Sequence, residues 1–319
     1  MERIPPTVQL AAPREGDFTI AGAGSLQLAA TRFASTGDAA PSSLLFAHGF
    51  GQTREAWRRT AQAMAARGHA GLSFDARGHG HSQRNPVELP YRAEQFADDL
   101  INVAGESTQA PVLVGASMGG LLGLVTEARW PGLFRALVMV DVTPRWEAKG
   151  YERILAFMGA FPDGFDSLAH AGDVIAAYLP QRRERKSESD LRSLLHEGSD
   201  GRWRWHWDPR LLAEFAADAQ GHQDDLIIAA RSIRCPVLLI SGGKSDLVSA
   251  RTVEDFQSLV PHAQHVQLPH ATHMLAGDDN DAFAATVLDY LAELPAAAVP
   301  VSIAANEPFA FNDSAGALP

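Results

Sequence analysis

The sequence predicts an α/β protein: a mostly parallel, twisted sheet flanked by helices, with a helical cap inserted in its second half. Three observations carry this. Short apolar or β-branched runs alternate with stretches of helical spacing along most of the 319 residues. Strands separated by amphipathic helices cannot pair as hairpins, so they are expected to lie parallel with helices covering both faces. One long interval, from about residue 144 to 230, interrupts the alternation with helical segments and no convincing strand.

Taken in order, strand-like runs occur at Leu26–Phe33, Ser43–Ala47, Ala70–Phe74, Pro111–Gly115, Ala136–Val140, Pro236–Ser241 and His265–Leu268. Between them Trp57, Ala61 and Met64 recur at helical spacing, as do Phe96, Leu100 and Val103, and later Phe283, Val287 and Leu291. The expected organisation is a body formed by residues 1–143 and 231–294, a cap at 144–230, and a tail at 295–319 rich in Ala and Pro. Within the cap, Trp203, Trp205 and Trp207 alternate, and in an extended segment they would share one face.

Composition narrows the function classes. At 46% apolar and 20% charged residues the chain can bury a sizeable core. Lys plus Arg number 27 against 38 Asp plus Glu, a formal charge of −11, which disfavours nucleic acid and anionic lipid as partners. The one basic run, Arg182-Arg183-Glu184-Arg185-Lys186, sits beside acids and reads as a solvated helix face. A single cysteine, Cys235, excludes an internal disulfide framework and a Cys-based zinc site. The N-terminal residues lack a signal-type apolar run, and no stretch approaches ~18 uninterrupted apolar residues, so a soluble, cytoplasmic protein is expected.

The most specific motif is Gly115-Ala116-Ser117-Met118-Gly119-Gly120, between a strand-like run and a helical one. A serine displayed on a sharp strand-to-helix turn needs a strained backbone and small neighbours, so Ser117 reads as a nucleophile rather than an ordinary helix cap. A hydroxyl is a weak nucleophile near neutral pH; it needs a base, and the base an orienting acid, expected at the ends of later strands. Asp246 follows the run ending at Ser241 and is the expected acid; its rival is Asp141, at the end of Ala136–Val140, for which a structural or pocket role is the expectation. His273 follows the run ending at Leu268 and is the expected base, ahead of His270. The backbone N–H groups of Met118 and of Phe50, in His48-Gly49-Phe50-Gly51, are the expected oxyanion donors, with His48 bracing that loop.

In Asp75-Ala76-Arg77-Gly78-His79-Gly80-His81, the two histidines have a spacing that a metal could use, but no further His/Asp cluster completes a ligand set. No metal and no cofactor is expected; Asp75 and Arg77 are read as holding the loop backbone.

Together, the motifs around His48, Asp75, Ser117, Asp246 and His273 resemble the α/β-hydrolase fold over roughly residues 17–293. The stretches Gly51–Trp57 and Val140–Arg145 are similar to bacterial esterases and cofactor-free haloperoxidases or perhydrolases. The resemblance implies Ser–His–Asp hydrolysis of esters, with peroxide sometimes replacing water. Ala116 departs from the His that many relatives carry there. Ser117 argues against relatives that use Asp at the same turn, the haloalkane dehalogenases and epoxide hydrolases. The expected function is a serine hydrolase acting on a carboxylic ester of a small or medium hydrophobic molecule, with Trp146 and Trp205 as candidate pocket residues. The same triad could serve C–C hydrolysis or lactone opening, and the same fold a non-catalytic receptor for a small ligand. A homodimer is left open.

Overall fold

The computed structural model describes residues 16–35, 43–178, 186–217, 219–273, 275 and 280–295; most of the expected tail and of the basic run at 182–186 lies outside these. The body is one eight-stranded sheet. Its strands are β1 (Gly16–Ala21), β2 (Gln27–Phe33), β3 (Leu44–Ala47), β4 (Gly71–Phe74), β5 (Val112–Ala116), β6 (Ala136–Val140), β9 (Val237–Gly242) and β10 (Gln264–Leu268). They run in the order β1-β2-β4-β3-β5-β6-β9-β10. The β1–β2 and β2–β4 pairs are antiparallel and the rest parallel. Seven of these strands coincide with the sequence runs to within a residue or two. The eighth, β1, was not anticipated: it lies at the edge of the sheet and most of its residues are exposed, so it carries no apolar run.

The central strands read as continuous apolar runs because both faces are covered. Alternate residues feed two cores. Leu45, Leu113, Leu137, Met139 and Leu239 enter one, shared with helices α2 (Ala93–Ala104), α3 (Met118–Arg129), α8 (Ala219–Ser232) and α9 (Ala250–Leu259). Leu44, Phe46, Val114, Val138 and Ile240 enter the other, beneath α1 (Arg58–Ala65) and α10 (Asn280–Glu293). Trp57 and Phe283 meet there with ring centroids 5.9 Å apart.

Between β6 and β9 the chain forms α4 (Ala148–Gly159), α5 (Leu168–Tyr178), α6 (Glu188–Arg192), β7 (Leu195–Glu197), β8 (Trp203–Trp205), α7 (Arg210–Ala217) and then α8. The expectation of helices alone is corrected: β7 and β8 form a small antiparallel ribbon. Three-residue strands leave too short a periodic pattern to read. The last helix, α8, sends Leu226, Ala229 and Ala230 into the body core. Trp203 sits with Phe165, Ala171 and Leu195 in a separate small core of the inserted segment.

Candidate active site

The elbow that displays Ser117 is built by close approach. Ser117 has φ 47° and ψ −115°, one of three non-glycine residues with positive φ among those described. A Cβ on Gly119 would lie 2.4 Å from the Ala47 carbonyl oxygen, and one on Gly115 2.6 Å from Gly119 backbone, so the chain turns here only with glycine at both places. The Ser117 N–H donates to Val140 O at 3.0 Å, tying the elbow to the end of β6. The next residue, Asp141, also has positive φ, 50°, a strained setting that re-aims its side chain where β6 ends.

Asp141 is fully buried and its carboxylate takes three donors. Gly242 N–H reaches Oδ1 at 2.8 Å, and Ser245 Oγ reaches Oδ2 at 2.5 Å. His273, in the turn after β10, lies with Nδ1 2.7 Å from Oδ2. A carboxylate oxygen accepts here, so the proton of this contact sits on Nδ1, which leaves Nε2 as the nitrogen able to face another group.

The expected acid, Asp246, is elsewhere. Its carboxylate pairs with Arg153 of α4 at 2.8 Å, both side chains partly exposed. That expectation is corrected: the loop after β9 turns Asp246 toward the inserted segment, while β6, hydrogen-bonded beside β9, brings Asp141 to the imidazole. The spacing to Ser117 is 141 − 117 = 24 residues, one helix and one strand further on. Asp141, for which a structural or pocket role is the expectation from sequence, ends the strand beside that of Ser117. Only the positive φ and the donors around it distinguish the two, and neither is written in local sequence.

The loop His48–Gly51 passes the elbow, with a Cβ on Gly49 only 3.4 Å from Ser117 Cβ. His48 fixes this loop as expected. Its Nε2 accepts the Ala76 N–H at 2.9 Å, so Nδ1 bears the proton and donates to Gly49 O at 2.8 Å. Burial pushes its pKa down, keeping the ring neutral. The Met118 amide opens α3, where no upstream helical carbonyl is available to it. Phe50 N–H and Met118 N–H therefore come from the two backbone segments that flank Ser117.

Behind the loop, Asp75 accepts from Arg54 N–H at 2.7 Å and His81 N–H at 2.9 Å, and pairs with the Arg54 guanidinium. Arg77 forms a bidentate pair with Asp99, both bonds 2.6 Å. These two carboxylates hold the segment after β4, the role expected of Asp75 and Arg77. His79 donates from Nδ1 to the Arg77 carbonyl at 3.1 Å and is buried against His48 and Phe50. Among the described residues no group of three or more His, Cys, Asp or Glu converges to hold a metal ion. No helix of the described chain is long and apolar enough to cross a membrane.

The inserted segment meets the His48–Gly51 loop through Trp207, the last of the three alternating indoles. Trp207 is buried with its ring 4.9 Å from Phe50, and its Nε1 is 3.7 Å from where a Gly51 Cβ would stand. The same imagined Cβ would overlap Met158 Cε at 2.2 Å, and Gly51 has φ 73°. The three indoles do not make one wall: Trp203 packs in the small core, Trp205 against Phe157 and Phe165, and Trp207 against Phe50. Trp146 packs on Tyr151. His206 accepts the Gly80 N–H at 2.7 Å, clasping the segment to the body.

Comparison with known proteins gives the same architecture. The chain is 31% identical over 209 residues, 63% of its length and 71% of the relative's, to 2-(acetamidomethylene)succinate hydrolase of Mesorhizobium japonicum. It is 28% identical over 242 residues, covering 73% of this chain and 76% of that protein, to an esterase of Mycobacterium tuberculosis. A crystal structure of E-2-(acetamidomethylene)succinate hydrolase superposes with a TM-score of 0.74 at 23% identity, covering 88% of this chain and all of that one. Residues 44–286 match the alpha/beta hydrolase family, and the chain belongs to it.

Proposed function

We propose that this chain is a serine hydrolase that cleaves a carboxylic ester of a small or medium hydrophobic molecule through an acyl-enzyme. The observation that carries the reading is the 2.7 Å contact of His273 Nδ1 with Asp141, whose preceding residue, Val140, accepts the N–H of Ser117 held at φ 47° on a strand-to-helix turn. Ser117 Oγ attacks the acyl carbonyl while His273 Nε2 takes its proton. Asp141 keeps the imidazole in the required tautomer and offsets its positive charge once protonated. The Phe50 and Met118 amides hold the oxyanion, and each such donor is worth roughly 10²–10³ in turnover. His273 then gives its proton to the departing alcohol. Water enters, loses a proton to the same nitrogen, attacks the acyl carbonyl, and the acid leaves as the Ser117 hydroxyl is restored.

In this reading residues 144–230 act as a cap over the carboxyl ends of the strands, where ligands bind in open α/β sheets. Trp207 and Met158, packed against Phe50 and Gly51, shape the acyl side, and Trp146 and Trp205 are further candidates for the pocket wall. Because one relative is a hydrolase of 2-(acetamidomethylene)succinate, the substrate panel includes acetamido compounds beside esters of graded length. The test is labelling with a fluorophosphonate and mapping of the adduct, with Ser117→Ala assayed on the panel. The adduct is expected on Ser117 and turnover is expected to vanish in the variant; wild-type turnover in Ser117→Ala would end the reading.

A further inference from the structure

We propose that Ser245 is a positioning residue of the relay, holding Asp141 in the one orientation that lets it serve His273. The proposal rests on the serine-hydrolase reading above. Its basis is the hydrogen-bond inventory of one hydroxyl. Ser245 Oγ lies 3.1 Å from the Leu247 amide nitrogen and 3.1 Å from that of Val248, and both amides donate to it. A serine hydroxyl has two lone pairs and a single proton. With both lone pairs engaged, the proton is left to Asp141 Oδ2, 2.5 Å away.

The consequence is a carboxylate gripped at both oxygens. Gly242 N–H holds Oδ1 at 2.8 Å, and Ser245 and His273 share Oδ2. Turning the carboxylate about its Cβ–Cγ bond would break the Gly242 and Ser245 bonds together, so the imidazole has a fixed acceptor to align on. The loop that provides this grip is itself anchored on the far side. Glu147 N–H donates to Leu247 O at 3.0 Å, and Ser249 Oγ donates to Glu147 Oε1 at 2.6 Å. Asp246, adjacent to Ser245, holds Arg153. The loop expected to supply the acid supplies the acid's support.

The experiment compares wild type with Ser245→Ala, Ser245→Thr and Ser117→Ala on one activated ester. Hydrogen bonds to an ionised group support a loss of roughly 10- to 100-fold in kcat for Ser245→Ala, with KM changed by less than about 3-fold. The acid limb of its kcat/KM profile is expected to move to higher pH, because the carboxylate no longer shares its charge with a hydroxyl and bears more fully on the imidazolium. Ser245→Thr, which keeps the O–H, is expected to restore both. Wild-type kcat in Ser245→Ala overturns the proposal. So does a loss that only follows the folded fraction, with a lowered melting temperature and an unmoved acid limb. Should the alanine variant not fold, Ser245→Cys, a weak donor, gives the same readout at smaller amplitude. Turnover retained by Ser117→Ala removes the parent reading and the proposal with it. Turnover lost there while Ser245→Ala stays normal overturns the proposal alone.

Discussion

Asp141→Asn against Asp246→Asn separates the two carboxylates. Asp141 is fully buried and faces three donors: Gly242 N–H, Ser245 O–H and His273 Nδ1–H. An asparagine there offers one carbonyl oxygen and an NH₂ group. With the oxygen toward Gly242 the amide confronts the histidine with a donor, and the imidazole responds by moving its proton to Nε2, the nitrogen that must accept from Ser117. The wrong tautomer in a Ser–His–Asp relay costs roughly 10⁴ in kcat, equivalent to about 5 kcal/mol of barrier. Asp246 differs in kind. Its side chain is 34% exposed and its partner Arg153 48% exposed, a surface pair whose loss costs about 1 kcal/mol of stability or less. Steady-state kinetics on one activated ester, with melting temperatures for both variants, decides the matter. Asp141→Asn is expected to fold and lose about four decades of kcat, while Asp246→Asn keeps kcat within about 10-fold. The reverse pattern, collapse at 246 and retention at 141, would refute the assignment.

Two further predictions concern the seam between the inserted segment and the body. Trp207→Ala is expected to shift the preferred acyl chain toward longer esters, read as the ratio of kcat/KM between a long and a short ester, because it opens space beside Phe50 and Met158; an unchanged ratio counts against its place on the acyl side. His206, its pKa lowered to about 4 mainly by burial, favours the neutral ring in the folded state. Its contribution is complete above the unfolded value near 6.5 and is lost as pH falls from there toward 4, on the order of 3 kcal/mol in all. Glu127, pushed up to about 7 by burial, works in the opposite sense over much of this range. The readout is therefore urea stability of wild type minus His206→Asn, whose side-chain oxygen can still accept the Gly80 N–H; this difference should shrink from pH 7 to pH 4.5, and a constant difference would contradict it.

The fold was legible because its signals are local. Five of the eight body strands, β3, β4, β5, β6 and β9, are buried along nearly their whole length, so a run such as Ala136–Val140 is apolar on both faces. The elbow was legible for the same reason: Gly115 and Gly119 are demanded by backbone approach within a few residues of Ser117. What escaped was the set of relations that span the chain. β1 is polar because it is an edge. Trp207 touches Phe50 across more than 150 residues, and alternation in sequence said nothing of where each indole would land. Asp141 and Asp246 each follow a strand in a short turn, and nothing in their neighbours distinguishes a carboxylate aimed at His273 from one aimed at Arg153.

That ambiguity follows from the sheet itself. β6 and β9 are hydrogen-bonded neighbours, with Val140 paired to Ile240, so their carboxyl ends emerge side by side, and β9 in turn borders β10, which leads to His273. The relay needs a carboxylate to arrive at one point in space; two adjacent strands can deliver it, and the parallel geometry does not select between them. Here Asp141 reaches across from β6, and the β9 loop answers with donors: the Gly242 amide and the Ser245 hydroxyl both bind its carboxylate. Freed from the imidazole, Asp246 is available to Arg153, and Glu147 to Ser249, so one loop of eight residues, Gly242 to Ser249, holds the acid with one side and the first inserted helix with the other. A substitution on the side of this loop that faces the inserted helix should therefore reach His273 through Ser245 and Asp141, whereas one at Trp207, which packs on Phe50, should change which substrate is taken without disturbing the imidazole.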